Sequence, residues 1–221
     1  MGLNIKNETG NLVSVVLGIA DEMGKIPSIE DCIDPKTKEN ILNDTYPTEA
    51  DCINEIENFN NILLKNGVEV LRPNSINNLN QIFTRDIAFV VENKLFIPDI
   101  INERNREKEG IKYLTDNLEN EEKIIIPENI NIEGGDIIVH NEYIFIGYSN
   151  DNKLKVSRTS HEAIKFFQDF FPNKKVMGFE LFKDENDPYN SILHLDCAMQ
   201  PVGNKHVIIY EDGFKNKEEL N

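Results

Sequence analysis

Two carboxylates, Glu133 and Asp136, bracket a pair of glycines in "NINIEGGDIIVH", directly ahead of a run rich in Ile and Val. Asp86 opens a second such run in "FTRDIAFVV", and His194 and Asp196 open a third in "HLDCAM". Taken singly, each is ordinary. An Asp at the head of a strand most often serves a turn or cap, and "EGGD" could be a turn that needs positive φ at Gly134 or Gly135. Brought together, they are a different object. Several carboxylates in one place are stable only if a cation neutralises them. A guanidinium suits that role, because its planar fork of donors pairs bidentately with carboxylates. Histidine adds proton transfer near neutral pH, and Glu133 beside it would orient the ring and raise its pKa. His and Asp are also metal ligands, but no second His stands at ligand spacing. His140 and His161 read as solvated residues of a turn and a helix start, and His206 of a return strand carries no role.

The elements that must position these groups repeat along the chain. Each acid heads a β-prone run, then an Asn-containing turn ("ENK", "HNE", "VGNK"), then a second β-prone run. A helical stretch and a further strand follow. After the first hairpin come the polar run Glu103 to Gly110, apolar Ile111, Leu114 and Leu118, and "KIIIP". After the second, Thr159 and Glu162 read as a capping box ahead of the stripe Ala163, Phe166, Phe167 and Phe170, ended by Pro172. Upstream, "LVSVVLGI" reads as a strand and Thr48 as the cap of a helix that Gly67 terminates. If strand alternation holds, His194 and Asp196 share a face and Cys197 points away. The aligned acids fall 50 and then 60 residues apart, a spacing that signals a modular ring or array. The reading is α/β, one domain over 1–221, with modules at roughly 1–75, 76–128, 129–183 and 184–221: three and a half units, an unclosed array.

Composition narrows the partners. A formal net charge of −16 disfavours nucleic acid and anionic membrane surfaces and favours cationic small molecules. No apolar run is long enough to span a bilayer, and "MGLNIKNETG" has no apolar signal core. Cys32, Cys52 and Cys197 are odd in number and form no Cys-x-x-Cys pair, as expected of a cytoplasmic chain.

In order, "FTRD", "EGGD" and "HLD" resemble the guanidine-modifying enzymes: arginine deiminase, dimethylarginine dimethylaminohydrolase and the amidinotransferases. "VSRTSHEAIKFF" is similar to a deiminase-type segment, and "GNLVSVVLG" with "LLKNGVEVLRP" to the amidinotransferase N-terminal module. The resemblance implies a pentein: a propeller of ββαβ-type modules around a pseudo-fivefold axis, here C-terminally incomplete. It implies that Asp86 and Asp196 grip a substrate guanidinium and that Glu133 and His194 form the acid–base pair. Asp136, with Gly134 and Gly135, would support the loop, and Arg158 would meet a substrate carboxylate. It further implies no cofactor and no metal, a small guanidino substrate, and compatibility with a homo-oligomer. The expected reaction is C–N cleavage by a hydrolase through an amidino-cysteine intermediate. Amidino transfer to an amine is the runner-up, and a non-catalytic guanidine binder or scaffold the alternative of another class. The family's cysteine belongs to a module absent here, and none of the three cysteines replaces it, so a fragment of a longer enzyme is expected. The stretch from Asp21 to Pro47 reads as a loop covering the site.

Overall fold

The structure is a computed structural model that describes residues 2–151 and 153–220. In chain order its elements are β1 (Ser14–Val16), α1 (Pro35–Leu42), α2 (Glu49–Lys65), β2 (Glu69–Leu71), α3 (Thr84–Ile87), β3 (Phe89–Val91) and β4 (Lys94–Ile97). There follow α4 (Lys112–Thr115), β5 (Lys123–Ile125), β6 (Ile137–His140), β7 (Tyr143–Tyr148), α5 (Glu162–Phe170), β8 (Lys175–Glu180), α6 (Leu195–Ala198), β9 (Met199–Val202) and β10 (His206–Ile209). A 3-10 segment, Asn102–Ile111, runs into α4, and a 3-10 turn, Gly134–Asp136, precedes β6.

Two three-stranded sheets share one plan. β3–β4 and β6–β7 are antiparallel hairpins, and β5 and β8 then join β4 and β7 in parallel after a crossover. β9–β10 repeats the hairpin alone, and β1–β2 repeats the parallel pair joined through α2. The hairpin turns place Glu92, Asn141 and Gly203 at positive φ, the backbone that such tight turns require.

The expected helix over 48–66 forms as read. Thr48 and Asp51 cap each other reciprocally, and Gly67, at φ +76°, ends it. The expected Thr159–Glu162 capping box does not form. α5 starts after His161 with no side-chain cap, because Thr159 is drawn inward towards Glu133 instead. The Asp21–Pro47 stretch is not all loop: Asp34 caps α1 within it. A larger difference concerns the acids. They ride not on strands but on helical turns just ahead of them: Asp86 on α3, Asp136 on the 3-10 turn and Asp196 on α6. Side-chain alternation therefore does not govern His194, Asp196 and Cys197. Nor does either glycine of "EGGD" adopt positive φ.

β6 is buried on both faces. Ile137 and Val139 enter a core with Phe96, Ile144, Ile146 and Phe167, while Ile138 packs with Phe179, Leu181 and Leu195 on the other side. Rings of Phe89, Phe96, Phe166, Phe167, Phe170 and Phe171 lie 4.9–6.3 Å apart where α5 covers the sheets. Such packing holds the turns ahead of β3, β6 and β9 at fixed separations.

Candidate active site

Those turns meet. α3 lies against the Gly134–Asp136 turn so closely that a Cβ on Gly134 would stand 2.0 Å from the Arg85 carbonyl oxygen. A Cβ on Gly135 would come within 2.5 Å of His194 Nδ1 and 2.9 Å of Asp86 Oδ1. The glycines are there for close approach. Two hydrogen bonds lock the junction. The Gly135 N–H donates to Asp86 Oδ1 at 3.1 Å, and the Leu195 N–H donates to Asp136 Oδ1 at 2.9 Å.

Glu133 is fully buried at the centre. His194 Nε2 lies 3.2 Å from its Oε2, and His194 Nδ1 lies 3.6 Å from Asp86 Oδ1. The Nε2 contact is an ion-pair distance without hydrogen-bond alignment, so this buried nitrogen has no hydrogen-bond partner. Arg158 Nη1 donates to both Glu133 oxygens at 3.0 Å, and its other donors reach the Lys155 and Ile33 carbonyls. Arg104 Nη1 donates to Asp86 Oδ2 at 2.8 Å and to Glu133 Oε2 at 3.0 Å. Its Nε and Nη2 donate to the two oxygens of Glu107, each at 2.8 Å.

These contacts set the proton equilibria. Burial opposes ionisation of Glu133, but His194, Arg158 and Arg104 outweigh it and hold the carboxyl down at about 2. Burial likewise opposes charge on His194, yet Asp136, Glu133 and Asp86 raise its pKa above the ordinary value. Asp136, wholly enclosed, is pushed up by burial, as is Glu107 despite Arg104. The arrangement is a buried cluster of carboxylates holding a guanidinium beside an imidazole able to carry a proton.

Asp86, Glu133 and His194 are brought together, with Asp136 and both glycines buttressing the loop. Asp196 is placed differently: its Oδ2 pairs with Arg85 Nε at 3.0 Å. Arg85 also reaches Glu8 and the Ile137 carbonyl, so Asp196 faces an internal cation at the rim. Arg158 is buried against Glu133 and reaches back to the Asp21–Pro47 stretch through Ile33. Cys197 is exposed; desolvation and then Asp196 push its thiol up to about 12. Cys52 and Cys32 are also raised, mainly by burial. Arg104 and Glu107 were not anticipated. They sit three apart in the charged run "NERNREKEG", whose composition is that of a solvated surface. Asp86, Glu133 and His194 could each offer one ligand atom to a metal, all within 4.8 Å of one another, and Arg104 bonds to two of them.

The fold is shared with known proteins. The N-terminal domain of the arginine dihydrolase ArgZ from cyanobacteria, a Cys→Ser mutant bound to substrate, superposes with a TM-score of 0.71 at 15% identity, covering 92% of this chain and 68% of that one. The amidinotransferase SxtG from Microseira wollei gives 0.70 at 16% identity, covering 99% and 72%. DDAH from Pseudomonas aeruginosa, a Cys→Ser mutant complexed with citrulline, gives 0.61 at 15% identity, covering 86% and 66%. The protein YkgA of Bacillus subtilis is 24% identical over 137 residues, 61% of this chain and 42% of its own length. The chain thus spans less than half of that curated relative. The fold is that of the pentein enzymes. The family described as N,N dimethylarginine dimethylhydrolase, eukaryotic, matches residues 31–221, and the chain belongs to that family and through it to the guanidine-modifying superfamily.

Proposed function

We propose that these residues form the guanidinium-binding and acid–base part of a hydrolase that cleaves a C–N bond of an arginine-like guanidine. The observation that carries this reading is the guanidinium of Arg104 seated between Asp86 and Glu133, with His194 alongside. A cleft that binds a guanidinium from its own chain has the shape and charge to bind one from a substrate. In this reading Asp86 and Glu133 hold the substrate cation, and Arg158 keeps Glu133 ionised and in register. Asp196, paired with Arg85, completes the rim. The modules at 1–75, 76–128, 129–183 and 184–221 surround the cleft as sectors of a propeller-like array.

The chemistry follows from the parts. A cysteine thiolate adds to the guanidinium carbon, forming a C–S bond. The C–N bond then breaks, and the leaving amine takes its proton from the His194 imidazolium. A water adds to the remaining amidino-thioether, giving its proton to His194. The C–S bond breaks, and a ureido product departs with the thiolate restored. His194 is suited to both transfers, since its carboxylate neighbours favour the protonated form. Cys197 is not suited to the attack, its thiol being held up at about 12 rather than lowered. Cys32 and Cys52, likewise raised, are no better suited, so this reading gives the nucleophile's role to none of the three. Three unpaired cysteines fit a reducing compartment such as the cytosol. Among the described residues, no helix is long and apolar enough to cross a membrane.

Titration calorimetry with arginine and its N-methylated forms tests the binding half. Glu133→Gln should abolish binding, and unaltered affinity would sink the assignment. Assaying the full-length protein for a ureido product tests the chemistry. A new guanidine formed only with an acceptor amine present would point to amidino transfer, the reading that the SxtG similarity favours. Binding without any product would leave a guanidine-binding protein.

A further inference from the structure

Arg104 is held in the cleft by charge alone. Its guanidinium makes four hydrogen bonds, two to Glu107 on its own segment and two to the body of the site, Asp86 and Glu133. The Phe83 ring, more than half exposed, lies 5.8 Å from its Cζ at the mouth. The carrier is the ten-residue 3-10 segment Asn102–Ile111. Runs of 3-10 helix longer than about four residues are uncommon, because their hydrogen-bond geometry is poorer than that of an α-helix. Its buried residues are Arg104, Glu107, Gly110 and Ile111, so the stretch ahead of Gly110 buries two charged side chains and no apolar one. The segment is tied by side chains near both ends, Glu103 to Lys155 and Lys108 to the Pro98 carbonyl. A segment with so little apolar burial sits at the low end of local stability.

The geometry points to Arg104 as a built-in occupant of the guanidinium site, which swings out with its 3-10 segment and is replaced when a free guanidine binds. This rests on the reading proposed above. Arg104 and Glu107 can leave as one neutral pair, keeping their mutual bonds. The charge in the cleft is then unchanged, and only the bonds to Asp86 and Glu133 need remaking. An incoming guanidinium remakes both, so the exchange is close to like for like. Arg158 cannot act this way, since its donors are divided among Glu133 and two backbone carbonyls. His194 Nε2, 3.2 Å from Glu133 Oε2 without hydrogen-bond alignment, stays beside the carboxylate that the incoming ligand would engage. With the occupant in place most of the time, apparent affinity falls by the fraction of molecules that are open.

Methylguanidinium chloride is the probe, because it carries no carboxylate for a freed arginine to hold. Arg104→Gln should bind it at least about tenfold more tightly than the unaltered chain, roughly the shift expected if no more than a tenth of molecules are open. The double variant Arg104→Gln/Glu107→Gln, which leaves no buried carboxylate unpaired at 107, should do the same. Equal or weaker binding by both variants, with binding retained by the unaltered chain, overturns the built-in occupant and leaves the proposed function standing. Binding by none of the three overturns the proposed function and this inference with it. If neither variant folds, hydrogen exchange on the unaltered chain decides. Amides 102–111 should exchange faster at saturating methylguanidinium, and slowed or unchanged exchange overturns the inference.

Discussion

The residue that concentrates the chemistry is Glu133, which touches two arginines and a histidine while wholly enclosed. Its carboxyl is lowered from the ordinary 4.5 to about 2. A lowered carboxyl stabilises the fold above its unfolded pKa, and that contribution is lost as pH falls from about 4.5 towards 2. Urea unfolding across that window should show an acid limb that flattens in Glu133→Gln. His194 works in the opposite sense. Its pKa is raised above 6.5, so its contribution is complete below pH 6.5 and fades as pH climbs through the folded value. His194→Asn should remove that alkaline limb and also shorten the acid limb, because His194 is one of the groups that lower Glu133, leaving the part due to Arg158 and Arg104. Glu133 and His194 were legible as residue types in a pattern. Arg104, which bonds to Glu133, and Glu107, which holds Arg104, were not, because "NERNREKEG" has no apolar stripe to show which charged side chain turns inward.

At the scale of elements, the hairpins could be read in advance because runs of Val, Ile and Phe flank Asn and Gly turns. The helical turns that carry Asp86, Asp136 and Asp196 could not. Three or four residues are too short for any period to register, and they stand before segments whose β-propensity dominates the window. Helix α2 and the α3 junction make a contrasting pair of tests. Thr48→Ala removes one half of a capping box on an exposed helix end and should cost about 1 kcal/mol, read by thermal melting, with guanidine binding unchanged. Gly134→Ala places a methyl 2.0 Å from the Arg85 carbonyl and must push α3 away from Glu133. Its loss of guanidine affinity by calorimetry should exceed anything that its melting temperature suggests.

For the whole molecule the net charge of −16 sets a field that draws cations. Association of a guanidinium ligand should slow as sodium chloride rises from about 10 to 150 mM, because the Debye length shrinks to about 8 Å. Dissociation from the enclosed cleft should change much less, and stopped-flow traces at several salt concentrations would separate the two. A salt-independent association rate would mean that the surface charge plays no part in capture.

The strap formed by the first few residues has a consequence in time. Ile5 and Asn7 bridge to Glu92 and His140 at the tips of two hairpins. Glu8 binds Arg85 and the Val139 N–H, the latter 131 residues away in sequence. The Leu195–Asp136 and Gly135–Asp86 bonds close loops of 59 and 49 residues. Contacts so remote along the chain form slowly, since loop-closure entropy is spent before they give anything back. Hairpins and α2 can appear early in refolding, while the cleft exists only once the strap has crossed both tips. Far-ultraviolet dichroism should therefore recover before guanidine binding does. Deleting residues 1–8 should suppress the recovery of guanidine binding and spare the first phase.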